Sequence, residues 1–319
     1  MLTRIRQHWF TQTQPGSQAA NNLLPALALI VGILAVSFAS FFVRWSNAPG
    51  PVTATYRMGF AMLFQLPLFL YAFRRQTDEQ PQQSQPIWAV LAGVSMGACQ
   101  VLWSIGLLMT RVANASLLCN SAPLFVALIA WLVLGQRLNG RFWVGLGLAM
   151  VGMTVVIGMD FLVHPSLSQG DLLSLVSAVF YALYYMFVGR SRKSMSTLKT
   201  IWVVNLASTV VLVVYCLAAG LPLTGYPLHT WIIFLLCALV PQLIGLSAAT
   251  YALGMMPSWI VSANMVVQPV VTSLLAIPLL HESLTLAQVL GGCMVLAGIV
   301  LVNRSRNQEN ALQTKNAAT

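Results

Sequence analysis

Residues 115–138, ASLLCNSAPLFVALIAWLVLGQRL, and residues 261–284, VSANMVVQPVVTSLLAIPLLHESL, align without a gap when the chain is shifted against itself by 146 positions. The shift superposes Ser116 on Ser262, Pro123 on Pro269, Leu128 on Leu274, Ala130 on Ala276, Leu134 on Leu280 and Leu138 on Leu284. Further along it brings Gly145 onto Gly291 and Gly152 onto Gly298. Leucine matches carry little weight in apolar sequence, but proline and glycine each impose a backbone property, so their shared register indicates an internal duplication.

What is duplicated follows from composition. Of 319 residues, 58% are hydrophobic and 7% charged, against about 25% charged in a soluble domain. That balance excludes a water-soluble globule and a disordered chain, and whole-span apolar runs exclude the alternating strands of an outer-membrane barrel. Runs bounded by charges or turn residues predict spans at 23–43, 51–73, 87–109, 113–135, 142–159, 172–188, 200–219, 230–252, 257–280 and 285–303. At roughly 20 residues each, ten spans consume about 200 residues and leave short loops. The expected fold is therefore an all-α membrane protein of ten transmembrane helices. Five spans per half is an odd number, so the two repeats are inverted in the membrane. The expected parts are an N-terminal tail 1–22, a first five-helix repeat 23–160, a second repeat 171–303 and a C-terminal tail 304–319.

The net charge of +10 reads as orientation rather than nucleic-acid binding. With both termini cytoplasmic, thirteen of the sixteen basic residues fall on the inner side, leaving Arg44 and Arg111 outside and Arg57 within the second span. That is the positive-inside pattern. The first apolar run is too long for a signal-peptide core and is expected to be retained.

Ten spans in two halves, with the span-ending pieces LVLGQRL and LLHESLTLAQVLGG, resemble the EamA-type branch of the drug/metabolite transporter superfamily over residues 23–303. Members typically close the fourth span of each half with a Gly-Glu pair. This chain has Gly135-Gln136 in one copy and His281-Glu282 in the other, so each departs at one position. The resemblance implies a permease of the bacterial cytoplasmic (inner) membrane, often an exporter of metabolites such as amino acids. It also implies a cavity lined by spans one, three, four, six, eight and nine. Inverted halves can exchange roles about a central site, which is the logic of alternating access. A membrane sensor, scaffold or enzyme without transport is the other class open to such a chain.

Polar side chains at mid-membrane depth are costly, so they are the candidate site residues. Gln100, Gln242 and Gln268 lie near the middle of their spans, with Asn120 and Asn264 about a turn away. Ser37 and Ser40 of the first span are added on the resemblance, and Gln65 is left outside the cavity. Pro123 and Pro269 are expected to break spans four and nine and free backbone carbonyls. Trp103, Tyr181 and Tyr251 are candidate aromatic walls, whereas Tyr184 and Tyr185 read as interfacial belt residues. Arg57 is expected to snorkel outward with Arg44, and Arg111 to anchor at the interface. Gly93 and Gly97 give a small-xxx-small face for packing. The five cysteines read as small core residues.

The six acids lie in loops, tails or span ends, so carboxylate-gated proton coupling is not expected. Catalytic, metal-binding and phosphate-loop patterns are not found, and no cofactor is expected. The expected partners are a small-molecule substrate and the lipid bilayer, with the protein a monomer or homodimer.

Overall fold

A computed structural model describes residues 23–75, 85–110, 112–136, 138–157, 168–280 and 285–317. The described residues form helices and short connections, with no strand among them. In chain order the helices are α1 (Leu23–Ser37), α2 (Ala39–Trp45), α3 (Gly50–Arg75), α4 (Pro86–Met109), α5 (Val112–Cys119), α6 (Ala122–Leu132) and α7 (Gly140–Ile157). The second half holds α8 (Gln169–Ser191), α9 (Thr197–Ala218), α10 (Leu228–Cys237), α11 (Ser247–Met255), α12 (Ser258–Asn264), α13 (Gln268–Leu280) and α14 (Leu286–Ala317). A π-helical stretch, Ala238–Leu246, joins α10 to α11, and a 3₁₀ turn, Met265–Val267, joins α12 to α13.

Among the described residues, nine segments are long and apolar enough to cross a membrane. Helix α3 is 26 residues long, which at 1.5 Å per residue is about 39 Å. Its mean hydropathy is lower because Arg57, Gln65 and Pro67 interrupt the apolar run. Helix ends follow local chemistry. Ser168 and Asp171 form a capping box at the start of α8. Thr285 and Gln288 do the same at α14, Thr285 N–H donating to Gln288 Oε1 at 2.9 Å and Gln288 N–H to Thr285 Oγ1 at 3.2 Å. Gly135, with φ of 64°, ends α6 in the left-handed region, which favours glycine.

The two halves interlock. Helix α4 lies along α8 and α9, α3 along α9, and α1 along the π-helical stretch and α11. Helices α7 and α14 form a long pair of their own. That pair is a glycine seam: an added Cβ at Gly152 meets the Gly291 carbonyl at 2.6 Å, and one at Gly298 meets the Gly145 carbonyl at 2.5 Å. These are the same four glycines that the 146-residue shift superposes. Gly93 and Gly97 of α4 pack likewise inside the bundle, against Val204 and Val211 of α9.

Burial is uneven along the bundle. Residues Trp259–Val266 are all buried, as are Ala182, Tyr184, Tyr185, Met186 and Val188 of α8. Most of the apolar ones belong to one large core with Ala252, Leu253 and Met256, while Val266 packs in a second cluster with Met153 and Val295. Nearer the middle of the bundle, Gln100, Trp103, Cys119, Asn120 and Tyr181 stay only half-buried. The start of α8 is closed as well, with Gly170, Asp171, Ser174, Ser177 and Ala178 buried.

Candidate functional site

Two rods are broken at matched places. Helix α5 stops at Cys119, a turn occupies Asn120–Ser121, and α6 starts at Ala122 with Pro123 in its first turn. Pro123 has no N–H for the Cys119 carbonyl, and the Leu124 N–H goes to Ser121 O at 2.9 Å rather than to Asn120 O. In the second half, Pro269 follows the 3₁₀ turn at the equivalent position and removes the donor for the Met265 carbonyl. The first rod is interrupted too, at Phe38 between α1 and α2. Ser37 and α13 meet there, Thr272 Oγ1 donating to Ser37 O at 3.3 Å. Three rods are thus interrupted, and in chain order the first and third of these meet through Ser37 and α13.

Around them lie several of the sequence candidates. Trp103 sits two and a half turns from the exposed Val94, on the opposite face of α4, so its partly accessible surface opens inward. Gln100 and Gln268 are half-buried, and neither side chain has a hydrogen-bond partner among the described residues. Asn120 is half-buried and its Nδ2 donates to Ser116 O at 2.8 Å within its own helix. Tyr181 is half-buried, receives a hydrogen bond from the Tyr185 hydroxyl at 3.2 Å, and lies with its ring 4.9 Å from that of Tyr185 and 5.9 Å from that of Tyr184.

Other candidates sit in helix packing. Gln242 is 3% exposed and its Nε2 donates to Asn205 Oδ1 at 2.6 Å. Asn205 Nδ2 donates in turn to Gln65 Oε1 at 3.3 Å, and Gln65 Nε2 to Ser247 Oγ at 3.4 Å. This chain of amides ties α3, α9 and the π-helical stretch together. Asn264 and Asn303 exchange amide hydrogen bonds of 3.1 and 2.9 Å between α12 and α14. Ser37 is fully buried and donates to Ile33 O at 2.7 Å. Ser40 is exposed. Tyr251 lies in α11 beside Thr250, whose carbonyl accepts from Arg192 Nε at 3.3 Å.

Three sequence expectations need correction. Arg57 does not snorkel outward: its Nε is buried without a hydrogen-bond partner, and Tyr181, Tyr184, Cys99 and Cys237 lie within electrostatic range of the guanidinium. Hydropathy alone cannot tell which face of α3 carries it. Tyr184 and Tyr185 are not belt residues, being 1% and 2% exposed within the core. The cysteines are not all core residues either: Cys99, Cys216 and Cys237 are buried, but Cys119 is half-buried and Cys293 is exposed.

Among the described side chains Asp171 is the only carboxylate. It lies in the first turn of α8 and accepts from Thr110 Oγ1 at 2.6 Å and from Ser168 N–H at 2.9 Å. Arg111, Asp160, His281 and Glu282 lie outside the described residues.

This architecture has known counterparts. A solved crystal structure superposes with a TM-score of 0.72 at 17% identity, covering 87% of this chain and 96% of that one. An uncharacterized transporter, sll1319, of Synechocystis sp. is 26% identical over 233 residues, 70% of this chain and 69% of that protein. A probable terminal-alkyne amino-acid exporter of Streptantibioticus cattleyicolor is 25% identical over 219 residues, 69% of this chain and 73% of that protein. The EamA-like transporter family matches residues 23–158 and again 168–304. Two family matches thus fall one on each half of the duplication, and this multi-pass membrane chain belongs to the EamA-like transporter family.

Proposed function

We propose that the protein is a secondary transporter of the bacterial cytoplasmic membrane that exports or exchanges a small amphipathic metabolite, an amino acid before nucleosides or sugars. In this reading α3 completes ten crossings with both termini in the cytoplasm. The two five-span repeats rock about a central site by alternating access. The observation that carries the reading is the pair of equivalent breaks at Asn120–Ser121 and Met265–Val267, flanked by the half-buried Gln100, Trp103, Asn120, Tyr181 and Gln268. Irregular backbone at membrane depth is tolerated where it lines a cavity. Amides, freed carbonyls and an aromatic wall suit a cargo with both donors and acceptors. The relative named as an amino-acid exporter supports the cargo class.

Alanine replacements of Gln100, Trp103, Asn120 and Gln268 are expected to cut amino-acid flux in proteoliposomes while leaving insertion and melting temperature near wild type. Unchanged flux in all four would refute this placement of the site. Because the one described carboxylate is hydrogen-bonded at a helix end, an imposed pH gradient alone is expected to drive no accumulation. Accumulation that follows such a gradient and collapses with a protonophore would contradict the exchange or facilitated mode.

A further inference from the structure

Arg57 projects from α3 into the bundle about two turns from the helix start. Its Nε is sealed and has no partner, and among the described residues no carboxylate pairs with it. A guanidinium does not lose its proton at accessible pH. An uncompensated charge at membrane depth is costly, and such residues ordinarily face a cavity or a partner. Yet the side chain is not wholly closed off: Arg57, Tyr181 and Cys119 each keep some accessible surface although protein surrounds them. Tyr181 lies within electrostatic range of both Arg57 and Cys119, and Cys119 ends α5 at the break that frees its carbonyl.

We propose that Arg57 anchors a carboxylate of the cargo, and that closing the site without a carboxylate is the slow step of the cycle. This rests on the transport reading above and deepens it. In the open state water solvates the guanidinium. Occlusion removes that water, and only a bound carboxylate replaces it with charge-assisted, bidentate hydrogen bonds. The loaded carrier therefore closes readily and the empty one slowly, so exchange outruns net release. For a zwitterionic amino acid, the Cys119 and Asn120 carbonyls supply acceptors for the ammonium.

The pocket can be tested apart from transport. In a protein carrying Cys293→Ala, anionic sulfonatoethyl and cationic trimethylammonioethyl methanethiosulfonates are compared for their rates of modification of Cys119, read by mass spectrometry. The anionic reagent is expected to be favoured, with the preference falling about 10- to 100-fold in Arg57→Gln and largely kept in Arg57→Lys. Equal preference in wild type and Arg57→Gln, or no modification of Cys119 by either reagent in wild type, would overturn the proposal. In proteoliposomes loaded with labelled L-leucine, external L-leucine is expected to accelerate efflux about tenfold or more, and L-leucinamide is not. Equal acceleration by the amide would overturn the carboxylate anchor. Absence of any leucine flux with the charge preference intact would count against the transport reading and leave the anion pocket standing.

Discussion

Replacing Gly152 with leucine is expected to abolish recovery of folded, monodisperse protein. Helices α7 and α14 approach so closely that even a Cβ at Gly152 would meet Gly291 O at 2.6 Å, Val295 N at 2.7 Å and Met294 Cβ at 2.8 Å. Two of those atoms are backbone and cannot turn aside. At the other crossing a Cβ at Gly298 would meet Gly145 O at 2.5 Å and Ala149 N at 2.6 Å. In lipid, helices associate through close packing rather than the hydrophobic effect, so a seam forced apart loses most of its attraction. Alanine at one of these glycines is expected to cost about 1–3 kcal/mol, the usual range for overpacking, and leucine more. Gly147, whose added Cβ would meet nothing within 4 Å, serves as the control and is expected to accept alanine with little change. A Gly152→Leu protein that melts within a degree or two of wild type in detergent would show that the seam does not hold the repeats together.

The second large effect is expected at Asn205, which is fully buried at the middle of the amide chain joining Gln65 and Gln242. Asn205→Leu strands the Gln65 carbonyl and the Gln242 amide in a dry interior at about 1–3 kcal/mol each. Adding Gln242→Leu removes one stranded group, so the double variant is expected to be more stable than the single one. A membrane hydrogen bond averages only ~0.6 kcal/mol in its own right. The predicted rescue therefore separates the cost of an unpaired group from the loss of a bond. If the double variant is less stable than Asn205→Leu by the full effect of Gln242→Leu alone, the chain is not a coupled network.

Much of the fold was legible because its decisive residues act through the backbone. Pro123 and Pro269 mark the breaks, and Gly145, Gly152, Gly291 and Gly298 mark the seam, whatever side chains surround them. In the structure the same register reaches further than the quoted stretches: α8 begins at Gln169 opposite Leu23 of α1, and α14 at Leu286 opposite Gly140 of α7. The candidate site was harder to read, because depth is a property of sequence but facing is not. Gln242 and Gln268 are similarly deep, yet one is spent on Asn205 while the other has no partner among the described residues. Arg57 illustrates the same limit. A long basic side chain near a span end reaches outward or inward according to what its neighbours leave open, and Tyr181 and Cys99 come from α8 and α4, far away in the chain. The π-helical stretch around Pro241 likewise has no periodicity signal of its own.

The most direct test of transport is counterflow: purified protein in liposomes preloaded with one unlabelled amino acid, followed for transient uptake of the same labelled compound. Protein-dependent overshoot is expected for at least one carboxylate-bearing amino acid and for none of the corresponding amides. A flat trace across amino acids, nucleosides, sugars and cationic drugs, with the protein shown to be folded and inserted, would contradict the account.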